Sequence, residues 1–140
     1  PIILSDEFDI LMHSLVKEAS ADRRFTPKIK DLFNAFIHCP YDKLSVIMVG
    51  QDPYPQVGIA DGISFSCSKT MKEQPSLRYM FNYLEKCYEN YNRNPDLKRW
   101  SEQGVLMLNT AFTVQIGKIG SHYRIWKPIT KMILEKQLIN

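Results

Sequence analysis

The sequence predicts an α/β fold, a doubly wound, mainly parallel sheet flanked by helices. Two short and continuous apolar segments, 44–49 and 105–108, are typical of buried strands. A helical pattern lies between them, so the order strand, helix, strand indicates a parallel pair joined by a crossover. Polar residues follow both strands, at Gln51 and at Asn109. Ligands of open α/β sheets bind at this edge, so these positions are the first candidates for a site.

Length and composition limit the class of protein. The 140 residues, 44% of them hydrophobic, predict one globular domain over residues 1–140. The longest apolar stretch, 46–49, is far shorter than the roughly 18 residues of a membrane span, so we expect no membrane partner. Three cysteines without metal-ligand spacing suggest neither a disulfide framework nor a zinc site, and favour an intracellular protein of the cytoplasm or nucleus. A net charge of +3 permits a nucleic-acid partner without requiring one.

Two helices are predicted before the first strand. Ser5 precedes acidic residues and then apolar residues at helical spacing as far as Val16, which indicates a capped helix. A second helix follows Pro27 and ends near Pro40, because proline disfavours helical geometry in the residue before it. The strand that comes next closes at Gly50, and we expect it to be buried on both faces.

The remaining elements follow a long irregular segment, 51–74, which is rich in proline and glycine. Loops of this length in a compact domain are usually functional. A third helix is predicted from Pro75 to about Tyr91, one or two helical turns over 98–103 precede the second strand, and a last helix runs from Trp126 to about Leu138. We expect more strand downstream, because two parallel strands make a poor core.

Four residue types in these positions suit the chemistry of a site, and each has a structural alternative. Asp52 at a strand end suits a general base or a charge stabiliser, or else caps a turn. Asn109 carries the donors and acceptor that recognise a flat heterocycle, or else bonds its own backbone. Phe65 suits stacking on a planar ligand, or else belongs to the core. Ser76, behind Pro75 at a helix start, suits a phosphate or is a plain cap.

Four motifs occur in a fixed order along the chain. They are Gly-Gln-Asp-Pro-Tyr at 50–54, Asp-Gly-Ile-Ser-Phe-Ser at 61–66, Gln-Pro-Ser-Leu at 74–77, and the segment 100–110, which contains Asn109. Together they resemble family 1 uracil-DNA glycosylase, a repair enzyme that removes uracil from DNA. The motifs are similar to its water-activating loop, its uracil-stacking segment, its proline-rich loop and its uracil-reading strand. The resemblance covers about residue 43 to the C-terminus.

The resemblance implies a role for each matching residue. Asp52 would orient the attacking water and stabilise the positively charged sugar. Tyr54 would stand against C5 of the base and exclude thymine by its methyl group. Phe65 would stack on the flipped uracil, and Gln51 would form part of the pocket with its backbone. Asn109 would bond the polar edge of uracil and discriminate against cytosine, because a mispaired buried polar group costs roughly 1 to 3 kcal/mol.

The resemblance also implies what the protein binds. Pro75 and Ser76 would contact the DNA backbone while the nucleotide turns out of the duplex. The expected partner is uracil-containing DNA. No cofactor and no metal ion are expected, because the family reaction uses water and the sequence has no cluster of metal ligands.

The sequence departs from the family pattern in two places. Pro55 stands where the family loop usually has histidine, which is similar to the poxvirus branch of the family. Family members also continue into further strands and a His-Pro-Ser-Pro loop, which are absent from this sequence, and His122 matches a different family histidine. We therefore expect a C-terminally short domain whose exposed sheet edge invites a protein partner.

Three interpretations remain open at this point. In the first, the chain is part of a uracil-DNA glycosylase whose remainder is absent from this sequence or supplied by another chain. In the second, it is a short relative that binds DNA or a protein with little or no activity. In the third, it is a related fold that acts on another base or nucleotide.

Overall fold

The computed structural model describes residues 5–21 and 24–135, and a parallel pair of strands lies at its centre. The central strands pair in register, with Gly50 opposite Asn109. A second, antiparallel pair is shorter and was not predicted. The parallel pair with its flanking helices confirms the predicted α/β class. The strands are β1 (Phe25–Thr26), β2 (Val46–Gly50), β3 (Val105–Asn109) and β4 (Val114–Gln115).

Helices surround these strands. The first helix begins where the sequence predicts it, with Ser5 Oγ accepting a hydrogen bond from the N–H of Phe8 at 3.2 Å, and it continues one turn further than expected. The predicted end of the last helix, near Leu138, lies outside the described residues. None of the described helices combines the length and apolar character that crossing a membrane requires. The helices are α1 (Asp6–Ser20), α2 (Asn34–His38), α3 (Pro75–Cys87), α4 (Lys98–Ser101) and α5 (Tyr123–Ile133).

The prediction of one continuous helix between Pro27 and Pro40 is wrong. A short 3₁₀ turn, Ile29–Asp31, is followed by the five-residue α2. Tertiary contacts explain the break. The backbone carbonyl of Asp31 packs so closely on Gly62 that any side chain at Gly62 would overlap it, and Asn34 Nδ2 donates to the carbonyl of Asp61 at 2.7 Å. The broken helix therefore anchors the long loop that follows β2.

The prediction that β2 is buried on both faces is also wrong. Val46 and Val49 are 53% and 45% exposed, whereas the middle of β3 is buried. In the described part of the chain β2 pairs with β3 alone, so its other edge has no strand to cover it. A continuous apolar segment predicts a buried strand but does not tell which neighbours bury it.

The core forms two clusters, one on each side of β3. Leu106 and Leu108 belong to the cluster between α1 and α5, where the rings of Phe112 and Trp126 stack at a centroid distance of 4.6 Å. Met107 points the other way, into the cluster beneath α3. This alternation is the two-residue period of a strand, and it places the end of β3 between two packed layers.

His122 is buried at the start of α5, where its ring contacts Thr113. The hydroxyl of Thr113 accepts a hydrogen bond from Trp126 Nε1 at 2.6 Å and lies 2.8 Å from His122 Nδ1. The hydroxyl either donates its own hydrogen to Nδ1 or accepts from Nδ1–H with its second lone pair, and both arrangements hold the ring in this position. Burial lowers the pKa of His122, while Glu18, 3.9 Å from Nε2, opposes this shift.

We expect His122 to make the protein acid-sensitive. The unfolded chain binds a proton on this ring near pH 6.5, its ordinary pKa, whereas the folded protein resists protonation to a lower pH. The free energy of unfolding should therefore fall as the pH drops below about 6.5. Thermal unfolding between about pH 5 and pH 8 measures this effect. His122→Gln should lose less stability in acid, and His13→Gln, at an exposed position, is the control. Equal pH dependence in the parent and His122→Gln would contradict the assignment.

Candidate active site

A cavity of about 220 Å³ opens at the carboxyl ends of β2 and β3. Pro75 is not part of its wall; it is exposed in the first turn of α3. The fold therefore gathers the remaining predicted site residues around one space, although they come from four separate segments of the chain. The predicted residues on the wall are Gln51, Asp52, Tyr54, Phe65, Ser76 and Asn109.

Backbone hydrogen bonds continue past the strand ends and hold this edge together. The carbonyl of Gly50 accepts from the N–H of Thr110 at 2.9 Å and from its hydroxyl at 3.1 Å. The carbonyl of Gln51 accepts from the N–H of Ala111 at 3.1 Å. The segment that carries Asp52 is therefore fixed beside the segment that carries Asn109.

Gly50 is required at this edge by the close approach of two side chains. A Cβ atom at Gly50 would overlap Ser64 Oγ, would lie 2.5 Å from Asn109 Oδ1, and would lie 3.1 Å from the Phe65 ring. Distances under 3.0 Å are not tolerated between such atoms, so something must shift. Sequence analysis used Gly50 as the end of a strand and as the first residue of the motif at 50–54, and missed this function.

Asn109 is oriented by a neighbour that sequence analysis did not select. Ser64 Oγ donates to Asn109 Oδ1 at 2.8 Å, and the N–H of Ser64 donates to the carbonyl of Met107 at 3.0 Å. The amide nitrogen of Asn109 has no hydrogen-bond partner among the described residues. One side of the amide is thus fixed by the protein, and the rest is available to a ligand.

Asp52 supplies the only carboxylate among the described residues of the wall. Its Oδ2 accepts a hydrogen bond from the N–H of Gly120 at 2.6 Å, and the side chain is half-buried. The site therefore contains a fixed negative charge at the end of β2.

The aromatic rings of Tyr54 and Phe65 both line the cavity. Tyr54 donates from its hydroxyl to the carbonyl of Phe65 at 3.1 Å. Burial raises the pKa of Tyr54, with the neighbouring Cys67 contributing in the same direction, so the hydroxyl keeps its proton. Phe65 has a φ of 65°, which is uncommon for a residue with a bulky side chain and marks positions held by their surroundings.

Asp61 holds the loop that presents Phe65, and sequence analysis missed this role. Its buried carboxylate accepts from the N–H of Ile63 at 3.1 Å, from Ser66 Oγ at 2.6 Å, and from both the N–H and the hydroxyl of Ser68 at 3.0 and 2.6 Å. The available signal was an aspartate followed by serines in a glycine-bearing turn, a pattern typical of side chains that bond nearby backbone. Asp61 does not line the cavity.

The segment between β4 and α5 contributes two further residues that sequence analysis did not select. Ile119 lines the mouth of the cavity and is 68% exposed, and Gly120 binds Asp52. Gly117 and Gly120 have φ values of 76° and 75°, which favour glycine, and the N–H of Gly117 donates to the carbonyl of Pro55 at 3.0 Å. Glycine spacing was the signal for this tight turn.

The wall defines what chemistry the cavity can perform. No histidine belongs to its described part, because His122 is held in the core by Thr113. Within residues 5–21 and 24–135, no three histidine, cysteine, aspartate or glutamate side chains gather as a metal ion would require. The amide of Asn109 and the rings of Tyr54 and Phe65 can bind a flat polar heterocycle, and the one carboxylate can polarise water or stabilise a cation beside it.

Curated proteins similar to this chain are named uracil-DNA glycosylase. Uracil-DNA glycosylase 1 of Listeria innocua is 41% identical over 123 residues, which are 86% of this chain and 56% of that protein. The uracil-DNA glycosylase of Acinetobacter baumannii is 36% identical over 137 residues, which are 96% of this chain and 58% of that protein. The chain thus spans a little over half the length of these relatives. No family model matches it.

Solved structures of the same name share the fold. The crystal structure of mimivirus uracil-DNA glycosylase matches with a TM-score of 0.86 at 30% identity, over 93% of this chain and 50% of that one. The enzyme of Nitratifractor salsuginis matches with a TM-score of 0.62 over 96% of this chain and 70% of that one, and at 19% identity it supports the fold alone. The chain is therefore similar to uracil-DNA glycosylases in sequence and in fold over nearly all of its own length.

Proposed function

We propose that this chain carries the uracil pocket and the catalytic carboxylate of a family 1 uracil-DNA glycosylase. The reaction is hydrolysis of the N-glycosidic bond of a flipped-out deoxyuridine in DNA, the first step of base-excision repair. The observation that carries the proposal is the presence of Asp52, Phe65 and Asn109 on one cavity wall at the strand ends. The names of the relatives support uracil in DNA as the substrate.

Asp52 would act on the sugar side of the bond. As the bond between C1′ and the base breaks, positive charge develops on the sugar and the base leaves as an anion. A fixed carboxylate stabilises that positive charge and accepts the proton of the water whose oxygen bonds to C1′. Because Gly120 holds Oδ2, the carboxylate needs little reorganisation at the moment of reaction.

Asn109 would read the polar edge of uracil. With Ser64 donating to Oδ1, the orientation of the amide is set, so Nδ2 can donate to O4 of uracil while Oδ1 accepts from N3–H with its second lone pair. Cytosine presents an amino group at position 4 and no proton at N3, so both contacts would be mismatched, at a cost of about 1 to 3 kcal/mol each. Ser64 is thus a positioning residue for base selection.

The remaining wall would complete the binding site. Phe65 stacks on the base, and Gln51 contributes its backbone. Ser76 lies on the wall in the first turn of α3, where unpaired backbone N–H groups favour a phosphate, and Pro75 precedes it. These two residues would contact the DNA backbone next to the flipped nucleotide.

Tyr54→Ala is expected to admit thymine. The Tyr54 ring is held by its hydrogen bond to Phe65, and a rigid ring against C5 leaves no space for a methyl group. Its removal should reduce the preference for uracil over thymine by about 10- to 200-fold, the value of one methyl-sized contact. Release of thymine from a thymine-containing oligonucleotide measures this. Tyr54→Phe keeps the ring and should still exclude thymine. An alanine variant that releases uracil but no thymine would remove Tyr54 from this role.

The proposed function is tested by base release from single-stranded oligonucleotides that differ only in one central base. We expect release of uracil and no release of cytosine or thymine. Absence of uracil release from the folded chain would overturn the proposed activity and would favour a relative that binds DNA or a protein without catalysis. Binding of the same oligonucleotides, measured in parallel, would then show whether such a relative binds DNA.

We also propose a protein partner at the open edge of β2. The backbone N–H and C=O groups along the unpaired edge of a strand are a ready template for pairing with a strand of another chain, and β2 also exposes Val46 and Val49. Next to them lies a largely apolar groove between this strand and the exposed tyrosines of α3, Tyr79 and Tyr83. Sedimentation of the chain alone tests the simplest case, a second copy at this edge. A strictly monomeric chain would exclude that case.

A further inference from the structure

A second concave surface, here called the basic groove, lies beside the candidate active site. It is formed by the segment 24–30, the loop 57–60, Ile116 and two further side chains. Four of the residues that line it carry positive charge, and none carries negative charge. The four cations are Arg24, Lys28, Lys30 and Lys69.

Three of these cations have no negatively charged partner among the described residues. Lys69 forms an ion pair with Asp31 and donates to the carbonyl of Ala60 at 3.2 Å, so its charge is neutralised and it stabilises the loop 57–60. Arg24, Lys28 and Lys30 are exposed and form no ion pair with any described residue. The charges of these three side chains add up to +3, which equals the formal net charge of the whole chain. Such a concentration of one sign attracts a polyanion.

The groove is joined rigidly to the candidate active site. Ala60 lines both surfaces, and the loop between them has Pro55 on the cavity and Val57 on the groove. The N–H of Ile116 donates to the carbonyl of Arg24 at 3.0 Å, and the N–H of Gly117, the next residue, donates to Pro55 at 3.0 Å. A ligand that extends out of the cavity past this loop therefore meets the groove.

The composition of the groove suits a nucleic-acid strand better than a small anion. Val57 and Ile29 are 71% and 67% exposed and form apolar surface between the cations. Sugars and bases can pack on apolar side chains while the phosphates meet the lysines and the arginine. The cavity itself carries the negative charge of Asp52, so phosphates near it need cations close at hand.

We propose that the basic groove binds the phosphodiester backbone of nucleotides that flank the flipped-out one, on one side of it. The inference rests on the proposed function only for the identity of the ligand as DNA. The basic groove would be a second surface for the DNA backbone, in addition to Ser76 on the wall of the cavity. It assigns the three unpaired cations, Arg24, Lys28 and Lys30, to phosphate contacts.

Binding of a single-stranded oligonucleotide without uracil tests the groove apart from catalysis. The triple variant Arg24→Ala, Lys28→Ala, Lys30→Ala removes three phosphate contacts, each worth a slope of about 0.7 in a plot of log affinity against log salt for single strands. The slope should therefore become shallower by about 2. Between 50 and 200 mM salt, the affinity of the parent should fall about 20-fold more than that of the variant. Fluorescence anisotropy with a labelled strand of about 20 nucleotides measures both.

A matched variant controls for loss of charge anywhere on the surface. Lys43→Ala, Lys86→Ala, Lys127→Ala removes three exposed lysines that line neither the cavity nor the groove. It should keep nearly the parental slope, and thermal unfolding should show that both triple variants fold. An unchanged slope in the groove variant, or an equal loss in the control, would overturn the proposal.

Two further oligonucleotides locate the contact. Each carries one uracil near an end, at the 5′ end in one and at the 3′ end in the other, so that the flanking strand extends in one direction only. The groove variant should raise KM for one of them and leave the other near the parental value. An equal rise for both would overturn the one-sided path. If the parent releases no uracil at all, the proposed function fails, while the binding measurement still decides the groove.

Discussion

Asp52→Asn is expected to reduce uracil release by about 100- to 10,000-fold, the usual contribution of a general base, while the fold remains intact. Asparagine has the same shape, and its amide oxygen can still accept the hydrogen bond that Gly120 donates to Asp52. What disappears is the negative charge, which in the proposed reaction both stabilises the cationic sugar and accepts the proton of water. The loss should appear in kcat rather than in KM, because the charge acts mainly in the transition state.

Single-turnover release of uracil by the parent and the variant measures this effect. Asp42→Asn is the matched control, because Asp42 is an exposed acid in a separate turn, away from the cavity. Thermal unfolding of all three proteins should give similar midpoints. Release by Asp52→Asn at the parental rate would show that another group activates the water.

Gly50→Ala is expected to lower kcat/KM by about 100-fold, because displacements of about 1 Å in a site have effects of this size. The new methyl group would overlap Ser64 Oγ and lie 2.5 Å from Asn109 Oδ1, so the Ser64–Asn109 pair must move. Since the pair sets the orientation of the amide, selection of uracil over cytosine should weaken together with the rate. Overpacking should also reduce the free energy of unfolding by about 1 to 3 kcal/mol.

The control for Gly50→Ala separates lost stability from a displaced site. Ile133→Val removes one methyl group from the buried side of α5, at a residue that lines neither the cavity nor the basic groove, and should cost about 0.5 to 1.5 kcal/mol of stability without moving the pocket. Both variants are assayed at a temperature where thermal unfolding shows them folded, with oligonucleotides that contain either uracil or cytosine. Parental selectivity in Gly50→Ala would mean that the pair adjusts without leaving its position.

Most elements could be predicted from the sequence, because they follow from local patterns. Ser5 and the acids after it predict the start of α1, and the apolar run before Asn109 predicts β3. The failures occurred where a distant segment decides the local structure. The break at Asp31 depends on its contact with Gly62, and the exposure of Val46 depends on which strands lie beside β2.

The candidate site shows the same division. Most of the residues on its wall could be named because they follow a strand or begin a helix, and parallel strands end at one edge of a sheet. Phe65, in the loop between β2 and α3, could be named only from its motif. The residues that hold these side chains in place could not be predicted from the sequence. Ser64 bonds Asn109 across 45 positions of sequence, and Gly120 bonds Asp52 across 68. The hydrogen-bond partners of Asp61 are close to it in sequence, but its burial, which makes these bonds important for the loop that carries Phe65, depends on the tertiary structure.

The sequence by itself therefore determined the α/β class, the order of the elements and the residue types at the strand ends. These follow from hydrophobic period, capping and motif spacing, all of which act over short stretches of chain. The tertiary structure alone decided how the carboxylate and the amide are held, and it alone assembled the basic groove from segments near residues 24, 57 and 116. Hydrogen bonds and charge clusters of this kind depend on distances in space, which chain packing sets and local sequence does not encode.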